Sequence, residues 1–281
     1  MNHQPTPGGG APAHTERAAG SVLSPAPLSS VAAPTPTRGL ELTELKGLEL
    51  DGMHVDGVAI ELDLASAVLE PRAVPDRRLT SLAADPTFWV AVNAGYFERD
   101  GSPSGLLASS ARRYGLLDRR GGSGIVIVSA ERAQLVPFEG FPSNSFRGEL
   151  AVQSGPRLIE PNGSLGMRSD DGQRAPRTVL CVMHQGRSLA LVLLWSREEP
   201  ARGPGLMTVA RLLTGPSPRG SERWCEQALN LDGGPSTGIV YSRAFTRRVT
   251  PEHLPLGPVP WALVARPRVG TANPSSAPPQ P

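Results

Sequence analysis

The chain has 281 residues, a formal net charge of +2, and 39% hydrophobic and 19% charged residues. No apolar run approaches the roughly 18 residues that a membrane span needs, which excludes an integral membrane protein. The arginine clusters are short and interleaved with acidic residues, which argues against a nucleic-acid binder. Two cysteines are too few for a disulfide scaffold or a cysteine-rich zinc module.

Composition divides the chain into three parts. Residues 1–38 consist mostly of Pro, Ala, Gly, Ser and Thr, so they cannot bury enough apolar surface to offset their ordering entropy. We expect them to be disordered, and they lack the basic start and apolar run of a signal peptide. Residues 269–281 form a similar Pro- and Ser-rich tail. Residues 39–268 are expected to fold as one domain with a sizeable core.

Within this domain, short apolar runs bounded by turn residues predict strands. Helical signals are few: Leu79 to Asp85, Thr208 to Thr214 with Gly215-Pro216 as its stop, and a weaker third helix over Ser221 to Gln227. Many strands and few helices indicate an α+β domain with one large sheet or two packed sheets. The predicted strands are Val55 to Leu64, Phe88 to Val92, Gly124 to Val128, Thr178 to Met183, Leu189 to Trp195, Ala228 to Leu231, Gly238 to Tyr241 and Trp261 to Ala265.

Two segments place polar groups at the ends of strands in the first half of the domain. NAGYF at residues 93–97 follows a buried-looking strand and leads into DGSPSG at residues 100–105. Asn93 there offers both donor and acceptor groups. Gln153 lies in an apolar strand before Gly155-Pro156, which is an expensive choice unless its amide is bonded. A turn Asn and a solvent-facing Gln are the ordinary alternatives.

Two further segments follow in the second half. RAPRT at residues 174–178 precedes a strand that fixes the direction of Arg177, whose guanidinium suits a phosphate or carboxylate. ALNLDGGPSTG at residues 228–238 runs from a strand into a glycine loop. Its backbone N–H groups could cradle an anion, and Asp232 is placed for acid, base or metal chemistry. A surface arginine and a plain glycine-rich hairpin turn remain open as alternatives.

The two cysteines, Cys181 and Cys225, lie in or next to predicted strands. We expect two buried, unpaired thiols. A disulfide, which would favour an oxidising compartment, stays open because its geometry cannot be judged from sequence.

Taken in order, these segments resemble the phosphodiester glycosidase family. The family pattern has N-[GA]-G-[FY]-F with a following D-G-x-P-x-G, then Q-x-G-P-x-L, R-x-P-R-T and A-x-N-L-D-G-G-x-S. This chain matches with NAGYF and DGSPSG, QSGPRL at 153–158, RAPRT at 174–178 and ALNLDGGPS at 228–236. The matches extend over about residues 40–268.

The resemblance implies a hydrolase that cleaves the glycosidic bond of a sugar-1-phosphodiester, on a single α+β domain with a large, mostly antiparallel sheet. Its substrate is then a small-molecule or glycan phosphodiester. Asn93, Arg177 and Asp232 are the expected catalytic residues, with Arg177 holding the phosphodiester anion. Whether Asp232 also binds a divalent cation stays open. The residues expected to bind substrate are Gln153, Arg174, Thr178, Asn230, Gly233, Gly234 and Ser236.

Cleavage by a carboxylate pair needs a second acid, for which Glu98, Asp100, Asp170 and Asp171 are candidates. Two departures from the family pattern bear on activity: Pro235 replaces a small residue and removes a backbone donor, and Arg211 stands near a frequent acid. They motivate the alternative of a non-catalytic glycan- or anion-binding cell-envelope module. The resemblance implies an extracytoplasmic protein, although no signal peptide is visible.

Overall fold

The computed structural model describes residues 39–268 apart from residue 130, residues 142–145, residue 219, residues 221–222, residue 244 and residues 246–252. The predicted disordered leader, residues 1–38, and tail, residues 269–281, lie outside the described residues. No helix in the described part of the chain is both long enough and apolar enough to cross a bilayer.

The described residues contain fifteen strands, one α-helix and five short 3₁₀ segments. The 3₁₀ segments are Leu79–Ala84, Arg119–Gly121, Phe138–Gly140, His184–Gly186 and Gly234–Ser236. The helix α1 is Leu206–Thr214. The strands are β1 (Leu40–Leu50), β2 (Met53–Asp63), β3 (Ala67–Ala73), β4 (Val90–Asn93), β5 (Leu107–Ser109), β6 (Arg113–Gly115), β7 (Gly124–Ser129), β8 (Arg132–Pro137), β9 (Leu150–Ser154), β10 (Arg157–Ile159), β11 (Arg177–Met183), β12 (Ser188–Ser196), β13 (Gln227–Asn230), β14 (Ile239–Tyr241) and β15 (Trp261–Pro267).

The strands form three antiparallel sheets. The largest has six strands in the order β1-β2-β12-β11-β13-β10, and the others have the orders β14-β4-β15-β3 and β6-β5-β9-β7-β8. Every strand pair in the described residues is antiparallel. The predicted fold class, mostly antiparallel sheet with few helices, is therefore confirmed.

The six-stranded sheet is buried on both faces. Leu180 and Val182 of β11 pack into the main core together with residues from both smaller sheets, such as Val92 and Val152. Their neighbours on β11, including Val179, point to the opposite face, which α1 covers. This double burial explains why the sequence of β11 and β12 reads as an uninterrupted apolar run instead of an alternating one.

Helix α1 covers the outer face of the six-stranded sheet. Leu206, Val209, Ala210 and Leu213 are buried, which is the spacing of one helical face. The helix begins two residues before the predicted Thr208, and Gly215 follows its last residue, Thr214, as the sequence indicates. Its exposed face carries the polar residues.

Cys181 and Cys225 form a disulfide with 5.4 Å between their Cα atoms. The expectation of two unpaired thiols is therefore wrong. Sequence spacing could not reveal that β11 and the segment before β13 are neighbours in the large sheet. The third predicted helix is also wrong from Arg223 onward, because this segment leads directly into strand β13; Ser221 and Glu222 lie outside the described residues.

Candidate functional site

The site lies where the ends of three strands meet across two sheets. β11 and β13 are adjacent in the six-stranded sheet, and β4 belongs to the four-stranded sheet packed against it. The loops that follow β4 and β13 are joined by a hydrogen bond from the Asp232 N–H to the Ala94 carbonyl, 3.2 Å long. Three of the sequence segments, NAGYF, RAPRT and ALNLDGGPSTG, therefore converge.

Asn93 ties these segments together through its side chain. The amide nitrogen donates to the backbone carbonyls of Asp232 and Ala94, and Oδ1 accepts from the Thr178 hydroxyl at 2.7 Å and the Gly238 N–H at 3.2 Å. The side chain is almost fully buried. Its hydrogen-bonding groups, and the Thr178 hydroxyl, are thus engaged by protein atoms.

Gln153 has a comparable arrangement in the neighbouring sheet. Its Oε1 accepts from the Leu106 N–H at 2.9 Å, and its Nε2 donates to the carbonyls of Asp118 and Gly122. Gly105 packs so closely on this amide that a Cβ at that position would lie 2.8 Å from Oε1. Gln153 therefore fastens the loops after Tyr96 onto β9.

Asp232 carries the most perturbed carboxylate among the described residues. Burial raises its pKa from 3.8 to about 6, although hydrogen bonds from the Ser236 hydroxyl and the Gly233 N–H favour the charged form. The side chain keeps partial access to solvent. A carboxyl group with this pKa exchanges protons near neutral pH, as acid–base catalysis requires.

Arg177 lies beside the Asp232 loop. Its Nε donates to the Pro204 carbonyl at 3.0 Å and its Nη2 to the Gln173 carbonyl at 2.7 Å, whereas Nη1 has no hydrogen bond to any described residue. A side chain at Gly233 would lie 3.9 Å from Arg177 Cδ, so the two segments are in contact. Burial lowers the pKa of Arg177, while nearby Asp171 acts in the opposite direction. The guanidinium is therefore fixed in orientation, with N–H donors left for an anion.

Tyr96 belongs to the same cluster, and sequence reasoning assigned it no role. Its hydroxyl donates to the Gly155 carbonyl, and the ring is half-buried. Burial raises the pKa of Tyr96, the negative charge of Asp232 raises it further, and the positive charge of Arg177 lowers it. The phenol thus lies within electrostatic range of both groups. The aromatic residue three positions after a buried strand-end Asn was the available signal.

Asn230 lies next to Tyr96, and a side-chain hydrogen bond between the two lowers the pKa of the phenol. Its Nδ2 donates to the carbonyls of Gly155, at 2.9 Å, and Leu231, at 2.7 Å, while its buried Oδ1 has no hydrogen-bond partner among the described residues. One acceptor in the wall of the site is therefore unsatisfied by protein atoms.

Arg174 is held away from the cluster at the N-terminus of α1. It contacts Asp51 at 3.4 Å and Asp170 at 3.6 Å. Asp51 accepts a hydrogen bond from the Gly205 N–H at 2.7 Å, and Asp170 accepts one from the Met207 N–H at 3.2 Å. Both negative charges therefore stabilise the N-terminus of the helix, the positive end of its dipole. Arg174 and Asp170 therefore form an ion-pair cluster with a structural role. Arg174 is connected to the site through the chain, since it lies three residues before Arg177.

The backbone donors of the glycine loop are already used. The Gly233 N–H bonds the Asp232 carboxylate, and the Gly234 N–H bonds the Pro176 carbonyl at 2.8 Å. The expected anion cradle is therefore closed in this structure. Pro235 is exposed in the 3₁₀ turn that follows, and Arg211 lies on the solvent side of α1, away from Asp232.

The four candidates for a second carboxylate differ in position. Asp100 is exposed and accepts hydrogen bonds from Ser102 within its own turn, and Glu98 faces Arg120 at 3.6 Å. Asp170 holds the N-terminus of α1. Of the four, only Asp171 raises the pKa of both Tyr96 and Arg177 through its charge. Its carboxylate accepts from the Gln173 N–H and is not bound to α1. Within the described residues, no three His, Cys, Asp or Glu side chains group together as a metal site would require.

The phosphodiester glycosidase family model matches residues 87–265. In fold, the chain is similar to the catalytic domain of zebrafish N-acetylglucosamine-1-phosphodiester alpha-N-acetylglucosaminidase, auto-inhibited by its pro-peptide. The TM-score is 0.59 at 17% identity, covering 86% of this chain and 89% of that one. A hypothetical protein from Synechocystis is also similar, with a TM-score of 0.54 at 16% identity, covering 86% of this chain and 68% of that one.

No curated protein matches the sequence significantly. The family match nevertheless spans well over half of the chain and includes β4, β11 and β13, the three strands that carry the site. It confirms the resemblance drawn from the sequence motifs. The chain therefore belongs to the phosphodiester glycosidase family.

Proposed function

We propose that this protein hydrolyses the glycosidic bond of a sugar-1-phosphodiester. One observation carries the proposal: the loop that holds the partly buried Asp232, with its pKa of about 6, contacts Arg177, whose oriented guanidinium has an unused Nη1. A guanidinium is suited to hold the phosphodiester anion, and the carboxylate is suited to act at the neighbouring anomeric carbon. Membership of the phosphodiester glycosidase family supports this pairing.

The leaving group simplifies the chemistry that the site must perform. A phosphate diester is a stable anion, so the C–O bond can break without a strong general acid. At pH 7 Asp232 is mostly ionised, given its pKa of about 6. It would therefore act as a base toward water or as a nucleophile at the anomeric carbon, while the phosphate departs with the bonding electron pair and is stabilised by Arg177. Asp171 is our choice for the second carboxylate, since it lies near Arg177.

Three residues named from the sequence receive a different role in this proposal. Asn93, Thr178 and Gln153 would position the site instead of touching substrate, because their side-chain hydrogen bonds are taken by protein groups. Asn93 holds the Asp232 backbone directly. Tyr96 is a further candidate for substrate contact, because its ring is only half-buried and the charges of both Asp232 and Arg177 act on its phenol, although its hydroxyl already donates to the Gly155 carbonyl.

The test is a hydrolysis assay on UDP-sugars, beginning with UDP-N-acetylglucosamine because the zebrafish relative is named for that sugar. Bis(p-nitrophenyl) phosphate is run in parallel, with and without divalent cations. Free sugar released by the wild type and not by Asp232→Asn supports the proposal. Nitrophenol release without sugar release means P–O cleavage and contradicts it. Arg211→Ala, a change on the exposed face of α1, is the matched control and should retain activity.

A binding protein without turnover is the second candidate. It is favoured by the closed glycine loop, in which both the Gly233 and Gly234 N–H groups are engaged and none is left to stabilise developing charge. Saturable sugar-phosphodiester binding that depends on Arg177, with no product from any substrate, would favour this candidate.

A further inference from the structure

A cleft outside the candidate active site has a volume of about 510 Å³. This size falls within the range of natural small-molecule sites. It opens to solvent between the loop after Tyr96 and the β5–β6 hairpin. Its lining residues are Glu98, Ser102, Pro103, Ser104, Arg113, Tyr114, Gly115, Leu116, Asp118 and Arg120.

The charges that line the cleft balance. Two guanidinium groups, Arg113 and Arg120, face two carboxylates, Glu98 and Asp118. A balanced lining gives no net attraction to a small anion or cation, so it does not favour a phosphate or a metal ion. It does present fixed donors and acceptors together. Sugar hydroxyls, which both donate and accept, match such a lining.

Some of the polar groups are preorganised. Arg120 bonds both carboxylate oxygens of Asp118, at 3.2 and 3.1 Å, and also lies 3.6 Å from Glu98. The Ser104 N–H donates to the Tyr96 carbonyl at 2.9 Å, which fixes the wall between the cleft and the candidate active site. One wall of the cleft is therefore ordered before a ligand binds, whereas a ligand would have to order the exposed Arg113 side chain.

Some of the cleft's bonding capacity is unused. The Arg113 side chain has no ion pair or hydrogen bond with any described residue, and Glu98 is bound through only one of its oxygens. Leu116 is 71% exposed beside Tyr114, whose ring is held by Trp261 at 4.8 Å between centroids. Free polar groups next to an exposed apolar surface suit the two kinds of surface on a sugar ring, its hydroxyls and its C–H face.

We infer that this cleft is a binding site for a neutral saccharide, held by Arg113 and Glu98 through its hydroxyls and by Leu116 through its apolar face. The inference goes beyond the proposed function, because binding here requires no catalysis by Asp232. The cleft begins near the candidate active site: Ala94, which binds the Asp232 N–H, is only two residues from Tyr96, which binds Ser104. Two residues extend over at most about 7 Å.

The test is an NMR titration of the wild-type protein, labelled with ¹⁵N, with free neutral mono- and disaccharides of glucose, mannose, galactose and N-acetylglucosamine. These sugars carry no phosphodiester, so hydrolysis cannot interfere and failure of the proposed function would not affect the result. We expect saturable shifts of the Arg113, Gly115 and Leu116 amides that persist as sodium chloride is raised, because a neutral ligand is not screened.

Variants locate the site. Glu98→Gln and Arg113→Ala should each weaken saccharide binding about three- to tenfold, the effect of losing one hydrogen bond. Leu116→Asp should weaken it as well, whereas Leu165→Asp, at another exposed leucine, should leave it unchanged. The inference is overturned if no saccharide shifts these amides, if inorganic phosphate shifts them in a salt-sensitive way instead, or if Leu165→Asp weakens binding as much as Leu116→Asp.

Discussion

Replacing Asp232 with Asn should abolish hydrolysis and, at the same time, stabilise the fold at neutral pH. The carboxylate of Asp232 is ionised at pH 7 in a partly buried position that disfavours its charge. An amide of nearly the same shape removes that charge. A group whose pKa is raised on folding contributes stability below its unfolded pKa and loses it as the pH rises through the folded value.

The raised pKa fixes the size of the effect. Burial moves the pKa of Asp232 from 3.8 to about 6, and each pH unit between these values corresponds to about 1.4 kcal/mol. The charge therefore destabilises the fold by at most about 3 kcal/mol at pH 7. The amide accepts less strongly from Ser236 and Gly233, so we expect a net gain of about 1–2 kcal/mol in the free energy of unfolding. For a domain of this size the melting temperature should rise by about 2–8 °C.

The assay is urea unfolding of both proteins at pH 7 and at pH 4, with kcat/KM measured alongside on the sugar released. The difference in free energy of unfolding between Asp232→Asn and the wild type should reach its full size above pH 6. It should nearly vanish at pH 4, where Asp232 is protonated in the wild type. Asp171→Asn is a control of opposite sign, because the Gln173 N–H and nearby Arg177 hold the pKa of Asp171 below its ordinary value. An Asp232→Asn protein that is no more stable than the wild type at pH 7 would refute the reasoning.

Four further outcomes follow from the contacts of the site and the core. The kcat/KM of the wild type should rise with pH through about 6 as Asp232 ionises, and a flat profile between pH 5 and 7 would contradict a role for its carboxylate. Arg177→Lys should reduce kcat/KM by about a hundredfold or more, because an ammonium cannot keep both carbonyl contacts and still bind an anion. The same change should lower the free energy of unfolding by about 1–3 kcal/mol, since a buried carbonyl loses its donor; unchanged kinetics would remove Arg177 from the mechanism. Asn93→Ala should lower the free energy of unfolding by about 2–4 kcal/mol, since it leaves buried partners unpaired, and a loss below about 0.5 kcal/mol in chemical denaturation would contradict the cross-link. Removing the disulfide by Cys181→Ala with Cys225→Ala should cost about 4 kcal/mol for a separation of 44 residues; equal melting of the wild type with and without reductant would argue that the bridge does not form.

The sequence predicted the four inner strands of the double-buried sheet, β2, β11, β12 and β13, because their apolar runs are nearly uninterrupted. It missed the shorter strands β5, β6, β8 and β10, and it also missed two longer strands, β1, residues Leu40–Leu50, and β3, residues Ala67–Ala73. Both strands lie at sheet edges and carry glutamates or an arginine on their exposed face. Partial exposure breaks the apolar signal, so such strands read as polar loops until their neighbours are known.

The candidate site, like the fold, was predicted from the sequence only in part. Motif order alone placed Asp232 and Arg177 together, and the structure has their segments in contact. Motif order could not distinguish a side chain that faces substrate from one that braces a loop. Asn93 and Gln153 have the composition of ligand-binding residues, yet their amides are saturated by backbone groups from distant segments. For Tyr96 the sequence offered only its position three residues after Asn93.

The sequence by itself determined the family, the strand-rich fold and the chemical types available to the site, since these depend on local pattern and residue identity. Only the tertiary structure decided the pairing of Cys181 with Cys225, the pKa of Asp232 and the bonding of Asn93. Each of these depends on which groups from remote parts of the chain come within a few ångströms and on how much water they exclude. Contact and desolvation are properties of the folded arrangement, and spacing along the chain does not encode them in readable form.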